Sequence, residues 1–309
     1  MKVTSAPAAS RAGGTAYELI DGVLSDIPEY RAFRAGEMSR ELYSAWVCGG
    51  AIPSEAAVLN EDQLNLSTRF PLDDKAFVQA ALDDLRSRDL ISETAYPEAD
   101  FEAYWERVTS IFMHEGRRTY IFPEEARLLF ALTHIVRPQL TVFAGSYYAY
   151  WAVWAMPGIS AAGGRAVLVD IDHDMAMLGR RNLEQFGMTE MADVIVEDAI
   201  EVGSRLRDVD LCVLDAEGPK DHPVEDLRDK AIYYPISGAI TSAIRTEGLL
   251  VAHNVLVANI SDNPYFAGRI RDNTRQFRKW QAHLEEHYDR HCLISSSEGV
   301  GVYRRGLRA

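Results

Sequence analysis

Two rhythms of apolar positions divide the chain. Over residues 17–116 apolar side chains recur every three or four positions, the spacing of helices that each bury one face. Residues 75–86 illustrate it. Phe77, Ala81, Leu82 and Leu85 fall on one side of a helix, and Asp73 and Asp74 stand at its start, where the positive end of the helix dipole favours acids. Pro53, Pro71 and Pro97 each mark a helix boundary. The segment reads as several short helices forming an N-terminal cap or lid, with no internal repeat.

Past residue 117 the rhythm changes. Pro123 opens a helix in which Leu128, Leu129, Leu132, Ile135 and Val136 form a buried stripe, with Glu124 and Glu125 suited to its first turn. Short apolar runs then alternate with helical stretches. The runs are 141–145, 166–170, 194–198, 211–215 and 249–254; an aromatic helix through Met156 follows the first, and a helix over 173–186 ended by Gly187 follows the second. Runs of this kind, without polar alternation, are what a parallel sheet covered on both faces produces. A long helix from about Pro264 carries Phe266, Ile270, Phe277, Leu284 and Tyr288. Two strand-like runs, 291–295 and 300–304, are separated only by Ser296-Ser297-Glu298-Gly299 and predict a hairpin. The expected fold is therefore α/β: a Rossmann-like, doubly wound, mostly parallel sheet with an antiparallel last strand, plus an N-terminal helical domain. The expected division is a flexible tail over 1–16, a helical cap or lid over 17–116 and the Rossmann domain over 117–309.

Composition narrows the function. At 309 residues, 47% hydrophobic and 25% charged, the chain has the make-up of a soluble globular protein. Lys and Arg number 32 against 46 Asp and Glu, a formal charge of −14 that repels phosphate backbones and anionic lipid. Neither a nucleic-acid partner nor a membrane is expected, and no apolar run approaches the roughly 18 residues of a membrane span. Residues 1–14 are rich in Ala, Ser and Gly and lack an apolar signal core. Cys48, Cys212 and Cys292 are far apart and odd in number, which fits a reducing cytoplasm. A cytoplasmic enzyme acting on a small molecule is the expectation.

Six segments in order resemble the cation-dependent O-methyltransferases, the catechol and caffeoyl-coenzyme-A type within the class I S-adenosylmethionine-dependent methyltransferases. Phe122-Pro123-Glu124-Glu125 matches that family's helix entry. Gly164 to Asp172 resembles its second strand with the ribose-binding acid, and Glu197-Asp198-Ala199 the "GDA" after its third. Leu214-Asp215-Ala216-Glu217 resembles "IDAD", His253-Asn254-Val255-Leu256 resembles "DNVL", and Ser297 to Arg305 the closing strand. The resemblance covers about three-fifths of the chain and not the N-terminal region. It implies S-adenosylmethionine as cofactor, a divalent cation, a homodimer, and a cofactor site that includes Gly145, Ser146, Tyr147, Asp170, Asp198 and Asp215. Asp170 would accept the ribose hydroxyls, and Asp198 would lie near the adenine; both can equally cap the helices that follow.

In the family an Asp, Asp, Asn trio holds the cation. Here the set would be Asp215, His253 and Asn254, with one fewer negative charge and a softer ligand, which disfavours magnesium relative to a borderline transition metal. His253 could instead act as a metal-free general base, or be a strand-end histidine satisfied by backbone. Lys220, in Pro219-Lys220-Asp221-His222, resembles the family's catalytic lysine displaced by about two residues; a solvent-facing loop lysine is the alternative.

The loop after the first strand departs from the family's "ELGTYTGYSA". Gly145 survives, but Phe143 stands for the acid, Ala149 for the second glycine and Trp151 for a small hydroxyl residue. Those family positions surround the methionyl end of the cofactor, so the first glycine motif is degenerate. Two explanations follow. Either other residues grip the methionyl groups and a small-molecule hydroxyl is methylated, in specialised metabolism, or the cofactor serves non-methyl chemistry. The second course is aminocarboxypropyl transfer or cyclisation, releasing methylthioadenosine, with Tyr147, Tyr148, Tyr150, Trp151 and Trp154 facing the sulfonium. Those aromatics can equally be core. A cofactor-free enzyme on this scaffold is the third course.

Overall fold

A computed structural model describes residues 13–50, 52–256, 258 and 260–306. The chain opens with β1 (Gly14–Thr15) and then α1 (Ala16–Leu24), α2 (Pro28–Arg34), α3 (Arg40–Cys48) and α4 (Glu61–Leu66). Thr15 caps α1 through a reciprocal box with Glu18, and Ser39 and Asn60 cap α3 and α4. These four helices share a small core of Ile20, Tyr30, Phe33, Tyr43 and Phe70, which also takes in Phe122, Leu256 and Phe266. Next come α5 (Asp74–Ser87), capped by Asp73, and α6 (Glu98–Ile111), β2 (Arg118–Thr119) and α7 (Pro123–Val136). The apolar face of α5 is Val78, Ala81, Leu82 and Leu85, with Phe77 only partly buried.

The central unit runs β3 (Leu140–Ala144), α8 (Tyr150–Ala161), β4 (Arg165–Asp170), α9 (His173–Gln185), β5 (Ala192–Val196), α10 (Ala199–Arg205), β6 (Val209–Leu214), α11 (Tyr233–Ile240) and β7 (Ile244–Ala252). It closes with α12 (Pro264–Gln276), α13 (Arg278–His287), β8 (Tyr288–Ile294) and β9 (Val300–Arg305). The sheet order is β5-β4-β3-β6-β7-β9-β8; the first five strands are parallel, and β9 runs antiparallel to both its neighbours. Alternate side chains divide between two cores, as the period of a strand requires. Phe143, Leu168, Leu211 and Val251 face α5 to α9, while Val142, Val169, Cys212 and Leu250 face α10, α11 and α13. The expected mostly parallel α/β sheet with its antiparallel final strand is the architecture found.

Three boundaries differ from the sequence reading. Within the tail expected over 1–16, residues 1–12 lie outside the described residues, whereas β1 pairs in parallel with β2 and Thr15 caps a helix. Pairing to a segment a hundred residues away has no local signature. The long C-terminal helix is two helices that meet at Phe277, which is both the end of α12 and the start of α13. Residues 17–116 pack in two groups: α1 to α4 on their own core, α5 and α6 on the core of the sheet.

Candidate functional site

Parallel strands that start from one edge deliver their ends to the other. The order reverses between β3 and β6, so the loops after β3, β4, β5, β6 and β7 surround a crevice there, the usual ligand position in an open α/β sheet. A cleft of about 480 Å³ occupies it, with Arg118, Tyr147, Asp170, Asp198, Asp215 and Lys230 in its walls.

The loop after β3 sets the near wall. Gly145 has φ +79°, and a Cβ there would come within 2.6 Å of the Ala216 Cα, so only glycine lets the β3 and β6 loops touch. Tyr147 and Ala149 also lie in the left-handed region, at φ +49° and +69°. A left-handed conformation costs an alanine about 1–2 kcal/mol. The turn is held by Asp170 at the tip of β4, whose Oδ2 accepts from the Tyr147 N–H at 2.7 Å while Oδ1 accepts from the Asp172 N–H at 2.9 Å. Burial raises the Asp170 pKa, against those backbone hydrogen bonds. Asp172, not Asp170, caps α9. Asp198 caps α10 by accepting from the Ile200 N–H at 2.8 Å and also lines the cleft.

The far wall is a chain of charges. His253, 1% exposed, sits just past the end of β7. Its Nε2 donates to the Glu125 Oε2 at 3.0 Å, and its Nδ1 lies 3.3 Å from the Asp215 Oδ2. The second contact is an ion-pair separation rather than an aligned hydrogen bond, since Nδ1 is buried without a well-directed partner. Asp215 in turn meets Lys230, whose Nζ donates to its Oδ1 at 3.4 Å and to the Ala216 carbonyl at 3.1 Å. Burial by itself would lower the His253 pKa; the Asp215 and Glu125 carboxylates outweigh it and lift the group to about 10. Burial likewise opposes ionisation of both acids, but the imidazolium holds each below its ordinary value. Glu124, beside them, is pushed up to about 7 by burial and then by the charge of Glu125.

Glu124 and Glu125 are first-turn residues of α7, yet both are fully buried. Glu124 Oε1 accepts from the Ser297 N–H and hydroxyl, and Glu125 Oε1 accepts from the Ser296 hydroxyl and the Glu298 N–H. The β8–β9 turn is thereby tied to the base of the site. Arg69 grips the same turn from the other side, donating to the Ser296 and Ser297 carbonyls.

Gly145, Tyr147, Asp170, Asp198, Asp215 and Asn254 line the cleft as a group, and His253 lies at its floor. Ser146 lines a smaller adjoining space of about 30 Å³, together with Phe143, Tyr150 and Trp151. Lys220 is exposed, outside the cleft. The chain folds back after β6 through a bridge between Gly218 and Asp229, where any side chain on Gly218 would overlap the Leu227 carbonyl. That return carries Lys230, not Lys220, under Asp215. A lysine fifteen positions from its partner has no spacing signal, so the sequence does not mark Lys230.

The divalent-cation set does not fit. Both ring nitrogens of His253 face carboxylates, and an ammonium already rests on Asp215 where a cation would need it. Among the described residues no group of three or more His, Cys, Asp and Glu side chains is arranged to hold a metal. The general-base reading of His253 fails on the same geometry, because a histidine enclosed by two acids retains its proton. The backbone-satisfied reading is corrected too: the partners are side chains. Of the five aromatics, only Tyr147 is exposed; Tyr148, Tyr150, Trp151 and Trp154 are core, Trp151 packing its ring 4.8 Å from that of His253.

No protein-family profile matches this chain, and no curated protein matches it. Among solved structures it is similar to a methyltransferase from Geobacter sulfurreducens, at 22% identity over 75% of this chain and 96% of that one, with a TM-score of 0.45. It is similar also to an O-methyltransferase from Bacillus cereus in complex with S-adenosylhomocysteine, at 15% identity over 75% and 100%, TM-score 0.46. A third is the O-methyltransferase TomG from Streptomyces achromogenes, in complex with S-adenosylmethionine and involved in tomaymycin synthesis, at 14% identity over 76% and 99%, TM-score 0.47.

Proposed function

We propose that this chain is an S-adenosylmethionine-dependent methyltransferase acting on a hydroxyl oxygen of a small molecule, in specialised metabolism. The observation that carries the reading is the cleft of about 480 Å³ at the strand-order switch, within the usual size of a small-ligand site. One wall carries the strand-tip acids suited to a nucleoside, and the other a fixed charge suited to an acceptor. Bound there, S-adenosylmethionine would supply an activated methyl group. Asp170, already pinned by two backbone N–H groups, has lone pairs left for the ribose hydroxyls, and Asp198 stands near the adenine end. The left-handed turn at Gly145 to Ala149 brings backbone close to the bound nucleoside. The chain's own contribution is then mainly proximity and orientation.

A second reading keeps the nucleoside and changes the chemistry. Phe143, Tyr150 and Trp151 leave only about 30 Å³ beside Ser146, room for no more than a water or two, on the side where the resemblance puts the methionyl arm. That crowding favours an altered pose of the arm and release of methylthioadenosine. The two readings part on one assay: incubation with S-adenosylmethionine and a panel of phenols, with the nucleoside product identified. S-Adenosylhomocysteine supports methyl transfer; methylthioadenosine overturns it in favour of the second reading.

Residues 17–116 act as the lid, supported by the β1–β2 pairing, which ties the first helix to Arg118 and Thr119 in the cleft wall. A homodimer rests on the resemblance. A reducing, cytoplasmic setting rests on three free cysteines, two of them buried. No helix among the described residues is long and apolar enough to cross a membrane.

A further inference from the structure

We propose that Lys230 replaces the divalent cation as the group that receives the acceptor's oxygen, and that the acceptor is an anion on arrival: a phenolate, an enolate or a carboxylate. The inference rests on the methyl-transfer reading and deepens it. Two sets of observations converge on it.

The first is the placement of Lys230. Its side chain is only 10% exposed, yet it borders the cleft beside Asp215 and Ala216. Its backbone is fixed: the N–H donates to the Gln276 Oε1 at 3.0 Å, and the preceding Asp229 sits at φ +46° within the bridge to Gly218. The ammonium spends two donors on the Asp215 Oδ1 and the Ala216 carbonyl, and packs 5.4 Å from the Tyr233 ring. An ammonium has three N–H donors, so one is left for an oxygen in the cleft. A buried, geometrically fixed cation beside a vacant volume binds an anion far better than it binds a neutral hydroxyl.

The second is that the buried titratable groups around Lys230 are already engaged. His253 is enclosed between Glu125 and Asp215 with 1% exposure. Asp215 is engaged by both His253 and Lys230. Lys220 faces solvent away from the cleft. An acceptor that ionises by itself needs no base. Its oxygen lone pair forms the O–C bond, the C–S bonding pair leaves with the sulfur, the sulfonium becomes a neutral thioether, and no proton moves.

The test uses the full chain saturated with S-adenosylhomocysteine and titrated with 4-nitrophenol at a pH equal to its free pKa. The expected result is phenolate absorbance in the bound state, unaffected by EDTA. Lys230→Met should weaken 4-nitrophenolate about ten- to hundredfold while leaving uncharged 4-nitroanisole and S-adenosylhomocysteine within about twofold; Lys230→Arg should restore most of the anion affinity. A role for Lys230 that is only structural would move all three ligands together, and so would contradict the proposal. If the Met variant does not fold, Lys230→Gln, checked by its melting curve, replaces it. Equal anion binding by the charge-removed variant overturns the inference, as does a requirement for added magnesium, manganese or zinc, or binding of neither 4-nitrophenolate nor benzoate by the loaded wild type. Failure of S-adenosylhomocysteine itself to bind would remove the methyl-transfer reading as well, and is seen before any anion is added.

Discussion

The two walls of the cleft are built by different physics. On the β4–β5 side, Asp170 and Asp198 are half-exposed or exposed acids at strand tips, tied only to neighbouring backbone N–H groups. On the β6–β7 side, Glu125, His253, Asp215 and Lys230 form a charge relay with its centre buried, drawn from four separate segments. The first wall rests on a few hydrogen bonds from backbone N–H groups to partly exposed carboxylates. The second contributes to stability and leaves little free to titrate.

The contrast breaks first at His253. Replacing it with Ala leaves Glu125 and Asp215 buried without the cation between them, which should cost about 3–5 kcal/mol of stability, read as the shift of a urea unfolding midpoint. A loss under about 1 kcal/mol would mean that the chain of charges is not what holds that wall. Asp170→Ala, which removes two hydrogen bonds to backbone N–H groups, should shift the midpoint less, by about 1–2 kcal/mol.

The pH dependence sharpens the same point. His253 is raised from 6.5 to about 10, so its stabilisation is complete below pH 6.5 and is lost as pH climbs through 10. Glu124 is raised from 4.5 to about 7 and works in the same direction over 4.5 to 7. The lowered pKa values of Glu125 and Asp215 act oppositely, their contribution falling away in acid. The melting temperature should therefore decline steadily from neutral pH toward 10, and His253→Gln should flatten that decline. An unchanged slope in the variant would place the alkaline loss elsewhere.

The smallest effect belongs to the near wall. Ala149→Gly relieves a left-handed alanine at φ +69°, and after the entropy cost of glycine it should stabilise by about 0.5–1 kcal/mol. Destabilisation would show that the Ala149 methyl, which packs against Gly179, matters more than the strain.

What the sequence disclosed follows the same division. Strand-tip acids are legible because a short apolar run fixes where the strand ends, and the next polar residue must then face the crevice. Asp215 is legible in that way; the cofactor roles of Asp170 and Asp198 come from the family resemblance, and the closing hairpin from two strand-like runs four residues apart. The sequence offers Glu125 only as a dipole residue, since nothing local to Pro123-Glu124-Glu125 tells that the helix start will be covered by the β8–β9 turn. Nothing in the sequence marks Lys230, which lies fifteen positions beyond Asp215, whereas Lys220 sits in a motif-like segment. His253 was seen, but its chemistry depends on two acids whose approach is tertiary. The aromatic helix α8 read ambiguously because it is buried on every side and carries no amphipathic stripe.

The nucleoside cleft is the point on which the account turns, and calorimetric titration with S-adenosylhomocysteine tests it most directly. Wild type should bind one equivalent per chain, and Asp170→Ala, with its melting temperature checked, should bind about ten- to hundredfold more weakly through loss of the hydrogen bonds to a charged acceptor. No heat of binding with the wild-type chain, or equal affinity in the variant, would contradict it.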